Sequence, residues 1–211
     1  MSIKVAIFDD NNNIRNSIVL LLSTAPGIAV VGSFRDALHC VENVRACRPD
    51  VVLMDIEMPG VNGIEALRRI KEVFPEVSVL MQTVFEDDDR VWDSIKAGAT
   101  GYIIKATLTQ SLVDALHDMQ SGSAPMTPWV ARKVLNLVHA SQDSRRSAAY
   151  YLNTHEKDLL TRIVNGQSYK TIAGELNIST DVVREYIKTI YQRLHLDSLA
   201  VIAGPSRRTR W

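Results

Sequence analysis

A chain of 211 residues has room for one large domain or two small ones. Its 46% apolar and 23% charged residues match ordinary globular protein, and no run of about 18 apolar residues is present to cross a membrane. The net charge of zero hides an asymmetry. Residues 1–125 hold 11 Lys/Arg and 17 Asp/Glu, residues 126–149 hold 4 and 1, and residues 150–211 hold 9 and 6. An acidic front half followed by a mildly basic back half points to two separate jobs, although the basic excess is too small to establish nucleic-acid binding.

In chain order, the opening MSIKVAIFDD reads as a strand, because acids follow its apolar run and no small-residue cleavage site is present. The chain is therefore expected in the cytoplasm. Strand-like runs at Ile3–Phe8, Ile28–Phe34, Val51–Met54, Val77–Met81 and Gly101–Ile104 alternate with helical segments at Ile14–Leu22, Ala37–Val44, Ile64–Phe74, Val91–Ala97 and Leu108–Met119. Five such units, with continuous apolar strands, predict a parallel sheet covered on both faces. In that doubly wound architecture, ligands bind beyond the carboxyl ends of the strands. Cys40 and Cys47, seven residues apart on a predicted helix, read as buried free thiols.

Pro125 and Pro128 bracket a break, Val130–Val138 resumes helical character, and Ser141–Ala149 reads as a polar, basic linker. The remainder is helical: Thr154–Val164 with a cap-like Thr–His–Glu start, Tyr169–Leu176, a turn at Asn177–Ser179, and Thr180–Leu194. Ser179 suits an N-cap, and Asp181 suits the positive end of the helix dipole.

The chemistry gathers at the strand ends. Asp9 and Asp10 end the first strand and Asp55 the third. Converging carboxylates repel one another, and a hard divalent cation such as Mg²⁺, which takes oxygen ligands, relieves that repulsion. A carboxylate is also a nucleophile that can form an aspartyl phosphate. Thr83 and Lys105 end the fourth and fifth strands and offer a hydroxyl and an ammonium to phosphoryl oxygens. The acids Glu86–Asp89 read as the first turn of a helix instead of as ligands. Pro59 and Gly63 read as shapers of the loop after Asp55.

The set IFDD, LMDIEMPGVNG, LMQT and GYIIK resembles the receiver domain of two-component response regulators over residues 1–122. That resemblance implies a flavodoxin-like (βα)5 fold. It further implies that Asp55 is the phosphoacceptor, and that Mg²⁺ is held by Asp9, Asp10, Asp55 and the backbone carbonyl of Glu57. Thr83 and Lys105 would bind the phosphoryl group, and Tyr102 would occupy the aromatic switch position. Two departures stand out: Ala106 follows Lys105 where many receivers have Pro, and Gln82 replaces the usual apolar residue before Thr83. Phe85 and the Glu57 side chain would flank the phosphoryl group and set the lifetime of the phosphorylated state.

The segment LNTHEKDLLTRIVNGQSYKTIAGELNISTDVVREYIKTIYQRLHL resembles the LuxR-type helix-turn-helix output of the NarL/FixJ class. A connecting helix and linker over 123–150 and an all-α output domain over 151–211 complete the expected organisation. Val183, Ile187, Ile190 and Leu194 recur at helical spacing and are expected inside, leaving Arg184, Glu185, Lys188 and Gln192 facing outward. Arg184, Glu185 and Lys188 suit the edges of bases in a major groove, and Tyr169, Lys170 and Thr171 suit backbone phosphates. After Leu196 the family's final dimerisation helix is expected, but Asp197–Ala203 is brief and Gly204–Pro205 stops it; the tail SRRTRW is basic.

The resemblance implies a transcriptional regulator of a two-component system. A sensor histidine kinase phosphorylates it, and it binds promoter DNA through dimerisation or interdomain release. It would be a homodimer when phosphorylated, with no membrane partner and no turnover of an external substrate. The rival readings are an interaction protein whose output does not bind DNA specifically, a phosphatase with an aspartyl intermediate, and a flavin binder. Glu57 removes the D-x-D arrangement a phosphatase would need. The acidic DDNNN loop argues against cradling a flavin phosphate.

Overall fold

The computed structural model describes residues 2–84, 88–122, 124–142 and 152–202. Phe85, Glu86 and Asp87, most of the expected linker, and the SRRTRW tail lie outside the described residues.

Five parallel strands form one sheet in the order β2-β1-β3-β4-β5: β1 (Ile3–Phe8), β2 (Ile28–Phe34), β3 (Val51–Asp55), β4 (Ser78–Thr83) and β5 (Gly101–Ile104). The order reverses beside β1, which places a topological switch point between β1 and β3 at their carboxyl ends. Strand alternation divides the core. Ile3, Val5, Ile7, Val51, Leu53, Leu80 and Ile103 face helices α1 (Asn12–Ser23) and α5 (Leu108–Gln120). Ala6, Phe8, Val52, Met54, Val79, Met81 and Tyr102 face α2 (Cys40–Cys47), α3 (Gly63–Val73) and α4 (Asp88–Lys96).

The expected helix over Ala37–Val44 starts three residues later, at Cys40, and runs to Cys47. Asp36 accepts the Leu38 N–H at 3.1 Å, which holds that stretch in a turn. Both cysteines are free, and burial pushes the Cys40 thiol above its ordinary pKa. β4 extends two residues past the expected Met81, because Gln82 and Thr83 still pair with β3 or β5.

Helix α6 (Pro128–Gln142) leaves the sheet domain and packs on α7 (Thr154–Val164), which is followed by α8 (Tyr169–Leu176) and α9 (Thr180–Ile202). The cap of α7 is Asn153 and not the expected Thr154. Its side chain accepts the Glu156 N–H at 2.9 Å, and Glu156 Oε2 accepts the Asn153 N–H at 2.8 Å, a reciprocal capping box. Asn177 ends α8 in a left-handed conformation (φ 53), which an Asn tolerates better than most residues, and this makes the tight turn into α9. Val183, Ile187, Ile190 and Leu194 are all buried, as their spacing required. The final helix corrects a second expectation: α9 continues past Leu194 to Ile202 instead of stopping and restarting. No Gly or Pro occurs between those residues, so nothing breaks it. Among the described residues no helix is long and apolar enough to cross a membrane.

One apolar cluster runs from the α3–α4 side of the sheet through Met126, Val130 and Val134 to Leu160, Ile163 and Ile190. The C-terminal helices are therefore docked on the sheet domain, and they share its core.

Candidate functional site

The acidic site occupies one rung beyond the last apolar row of the sheet. The preceding row on the α1–α5 face is Ile7, Leu53 and Leu80, with Gly101 as the register partner of Leu80 on β5. Two residues further along, alternation brings Asp9, Asp55 and Gln82 to the same face, with Ile103 beside Gln82 in register; Lys105 follows β5 at the start of a single 3-10 turn. Asp55 and Gln82 are register partners.

Asp9 is fully buried and Asp55 nearly so, while Asp10 is exposed. The carboxylates of Asp9, Asp10 and Asp55 each place an oxygen within 4.8 Å of the others. Lys105 Nζ joins two of them, lying 2.7 Å from Asp9 Oδ2 and 2.9 Å from Asp55 Oδ2. Asp9 is further fixed by the Asn11 N–H, which donates to Oδ1 at 2.8 Å, and by Arg15, which donates to the Asp9 carbonyl at 2.7 Å. The loss of water around Asp55 pushes its carboxyl up to about 6; Lys105 opposes that rise and the Asp9 charge adds to it.

Local backbone explains why Asp55 ends its strand here. The Ile56 N–H still bonds the Gln82 carbonyl at 3.2 Å, after which the Gly63 N–H folds back on the Ile56 carbonyl at 2.9 Å. Asn62 then caps α3. A Cβ on Gly63 would lie 1.9 Å from the Asp55 carbonyl oxygen, so this close approach requires glycine.

Thr83 is buried at the end of β4, on the sheet face opposite Asp55. Met81, two residues before it, is the register partner of Tyr102. Thr83 and Tyr102 therefore occupy adjoining positions on one face. Tyr102 is turned inward and stacks on Trp129 of α6, with ring centroids 6.1 Å apart. Glu57 lies at the site's mouth, and its side chain pairs with Arg90 of α4. Asp10, Glu57 and Arg90 line one open cleft of about 500 Å³.

The residues expected at DNA are distributed unevenly. Lys170, Thr171 and Glu185 are exposed, and Lys188 lies 3.9 Å from Glu185. Arg184 does not face outward as expected. Its Nε and Nη2 donate to Asp118 Oδ1 of α5 at 3.0 and 2.8 Å, and its Nη1 donates to Asp181 at 3.0 Å. Tyr169 is likewise turned from the position expected of a phosphate contact: its hydroxyl accepts the Met126 N–H at 3.0 Å. Tyr191 donates to the Pro125 carbonyl at 3.1 Å. The Arg184–Asp118 pair holds the start of α9 against α5, while the two tyrosines hold α8 and the middle of α9 on the connecting residues Pro125 and Met126.

Sequence reasoning missed Asp118, the Arg90–Glu57 pair and the bond from Gln82 to Asp9. The first two had no local signal, since an acid on a helix surface and an Arg in a helix's first turns are ordinary. Gln82 did carry one, as an amide inside an apolar strand.

A doubly wound sheet with three acids, a bridging lysine and a buried threonine at its carboxyl edge is joined to a helix-turn-helix unit, the two-part organisation of a regulator with a receiver and a DNA-binding output. The comparisons agree with this organisation. Residues 5–117 match the response regulator receiver domain, and residues 151–204 match the LuxR family of bacterial regulatory proteins. The response regulator GacA of Pseudomonas aeruginosa is 31% identical, covering 95% of each chain. The response regulator VraR of Staphylococcus aureus is 31% identical over 93% of this chain and 92% of its own. A crystal structure of a LuxR-family two-component response regulator from Aurantimonas sp. superposes with a TM-score of 0.61 at 29% identity, covering 64% of this chain and 97% of the other. The chain belongs to the response regulator family, with a receiver domain and a LuxR-type DNA-binding output, and it is a transcriptional regulator of the two-component type.

Proposed function

We propose that Asp55 accepts a phosphoryl group from a sensor histidine kinase in the cytoplasm, and that this releases the output helices for promoter DNA. Residues 1–122 form the receiver, 123–150 the connecting helix and linker, and 151–211 the output. The observation that carries the reading is the Lys105 ammonium bridging Asp9 and Asp55 beside Asp10. An all-oxygen donor set at that separation fits a hard cation. Asp9, Asp10, Asp55 and the Glu57 carbonyl would hold Mg²⁺, which supplies positive charge against the phosphoryl oxygens when bound. Asp55 is the nucleophile: one of its oxygens forms the P–O bond as the donor's P–N bond breaks. Lys105, freed from Asp55, and Thr83 bind the phosphoryl oxygens. Thr83 moves toward the site, Tyr102 repacks beside it, and the change reaches α6 through Trp129.

In the docked arrangement Arg184 is committed to Asp118, so interdomain release must precede contact of this residue with DNA. Once free, Arg184, Glu185 and Lys188 face base edges, and Lys170 and Thr171 face backbone phosphates. A phosphorylated homodimer would place two such helices on a palindromic site. No turnover of an external substrate is part of this function. The test is a DNA titration before and after treatment with Mg²⁺ and a small phosphodonor. Tighter, salt-sensitive binding after treatment supports the proposal. Equal binding in both states, or binding indifferent to salt, refutes it.

A further inference from the structure

Gln82 has no part in the function above, yet its setting is unusual. It is fully buried at the penultimate position of β4, between Asp55 and Ile103 in register, within an otherwise apolar run of Val79, Leu80 and Met81. Nε2 donates to Asp9 Oδ2 at 3.3 Å, while Oε1 has no hydrogen-bond partner among the described residues. A carboxylate only accepts, so the amide must present its NH₂ end to Asp9. A half-satisfied buried amide is costly, and an apolar side chain would fill the same space without that cost. What Gln82 provides in return is its contact with Asp9.

Resting on the cation reading of the acidic site, we propose that Gln82 is a positioning residue for that site, holding the Asp9 carboxylate in its ligand orientation independently of Lys105. Among the described residues, three donors hold the Asp9 carboxylate. The Asn11 N–H takes Oδ1 at 2.8 Å; Lys105 and Gln82 share Oδ2 at 2.7 and 3.3 Å. Lys105 is also bound to Asp55 at 2.9 Å, so it is the contact that changes when Asp55 is modified. The Gln82 contact is not shared with Asp55. With Lys105 turned away, Gln82 and the Asn11 N–H remain as two fixed points that stop the carboxylate rotating. Partners that orient a metal-ligating carboxylate typically contribute about 10–100-fold in affinity. One long, neutral bond among three places Gln82 near about tenfold.

The test is calorimetric titration of the full-length chain with Mg²⁺, comparing wild type, Gln82→Met, Asp9→Ala and the double variant. Gln82→Leu serves if the methionine variant does not fold. The expected result is about tenfold weaker Mg²⁺ binding for Gln82→Met, a metal-free melting temperature equal to or above wild type, and no further loss when Asp9 is already alanine. Phosphorylation by acetyl phosphate at saturating Mg²⁺ stays near the wild-type rate while the Mg²⁺ requirement rises. Mg²⁺ affinity within about twofold of wild type overturns the inference, as does a loss accompanied by a fall in metal-free stability. Wild type that fails to bind Mg²⁺ overturns the reading of the acidic site itself.

Discussion

Replacing Asp118 with alanine is expected to activate DNA binding without phosphorylation. Asp118 lies on receiver helix α5, where it accepts two N–H groups of Arg184 at 3.0 and 2.8 Å. Both side chains are mostly covered, at 21% and 29% exposure, so solvent only partly screens the pair. Hydrogen bonds to charged groups of this kind contribute about 1.5–3 kcal/mol, and the contact Arg184 keeps with Asp181 reduces the net loss to about 1–2 kcal/mol. At about 1.4 kcal/mol per factor of ten, the open population rises roughly 5–30-fold. The unphosphorylated variant should therefore bind a mixed-sequence duplex about 5–30-fold more tightly in an anisotropy titration. Its radius of gyration should also increase. Asp114→Ala is the control, since it removes the same charge one turn earlier on α5 without touching Arg184. Equal tightening by both variants, or affinity within twofold of wild type for Asp118→Ala, would refute the reasoning.

Three further outcomes follow from the same geometry. Because the Asp55 pKa rises from 3.8 to about 6 on folding, its charged form opposes folding above about pH 6, and that penalty is relieved as pH falls toward 4. In chelator, Asp55→Asn should be more stable than wild type at about pH 8, by at most about 3 kcal/mol, and the gap in urea midpoints should shrink to under about 1 kcal/mol by about pH 4; a constant gap would contradict this. Gly63→Ala should destabilise the receiver by about 3 kcal/mol or block phosphorylation, since its Cβ meets the Asp55 carbonyl; a fully active, equally stable variant would show that the loop is free to shift. Glu156→Ala removes the buried partner of both Arg193 and the Asn153 N–H, and should cost the output domain about 2–4 kcal/mol with the phosphorylation rate unchanged; hydrogen exchange resolves the two domains.

The receiver was largely legible because its signals are local. Strand runs such as Gly101–Ile104 contain continuous apolar residues, and their carboxyl ends carry the acids, Thr83 and Lys105 one after another. The parallel sheet turns that list into a site: alternation puts Asp9 and Asp55 on one face of neighbouring strands, and the Lys105 side chain reaches both from the turn after β5. Tertiary pairing was not legible. Nothing near Asp118 announces a guanidinium 66 residues away, and nothing near Tyr169 announces the Met126 N–H. The outward face assigned to α9 follows from its own periodicity, which describes an isolated helix and is blind to what docks on it. The misplaced cap of α7 has a different cause: Asn153 and Thr154 are both capping types, and the reciprocal bond to Glu156 favours Asn153.

The central claim is that Asp55 is a phosphoacceptor served by the acidic cluster. Intact mass after incubation with Mg²⁺ and a small phosphodonor, for wild type and Asp55→Asn, tests it most directly. One phosphoryl adduct on wild type, absent from Asp55→Asn and absent in chelator, is the predicted result. An adduct that persists on Asp55→Asn, or none on wild type even with a phosphorylated histidine kinase as donor, would contradict it.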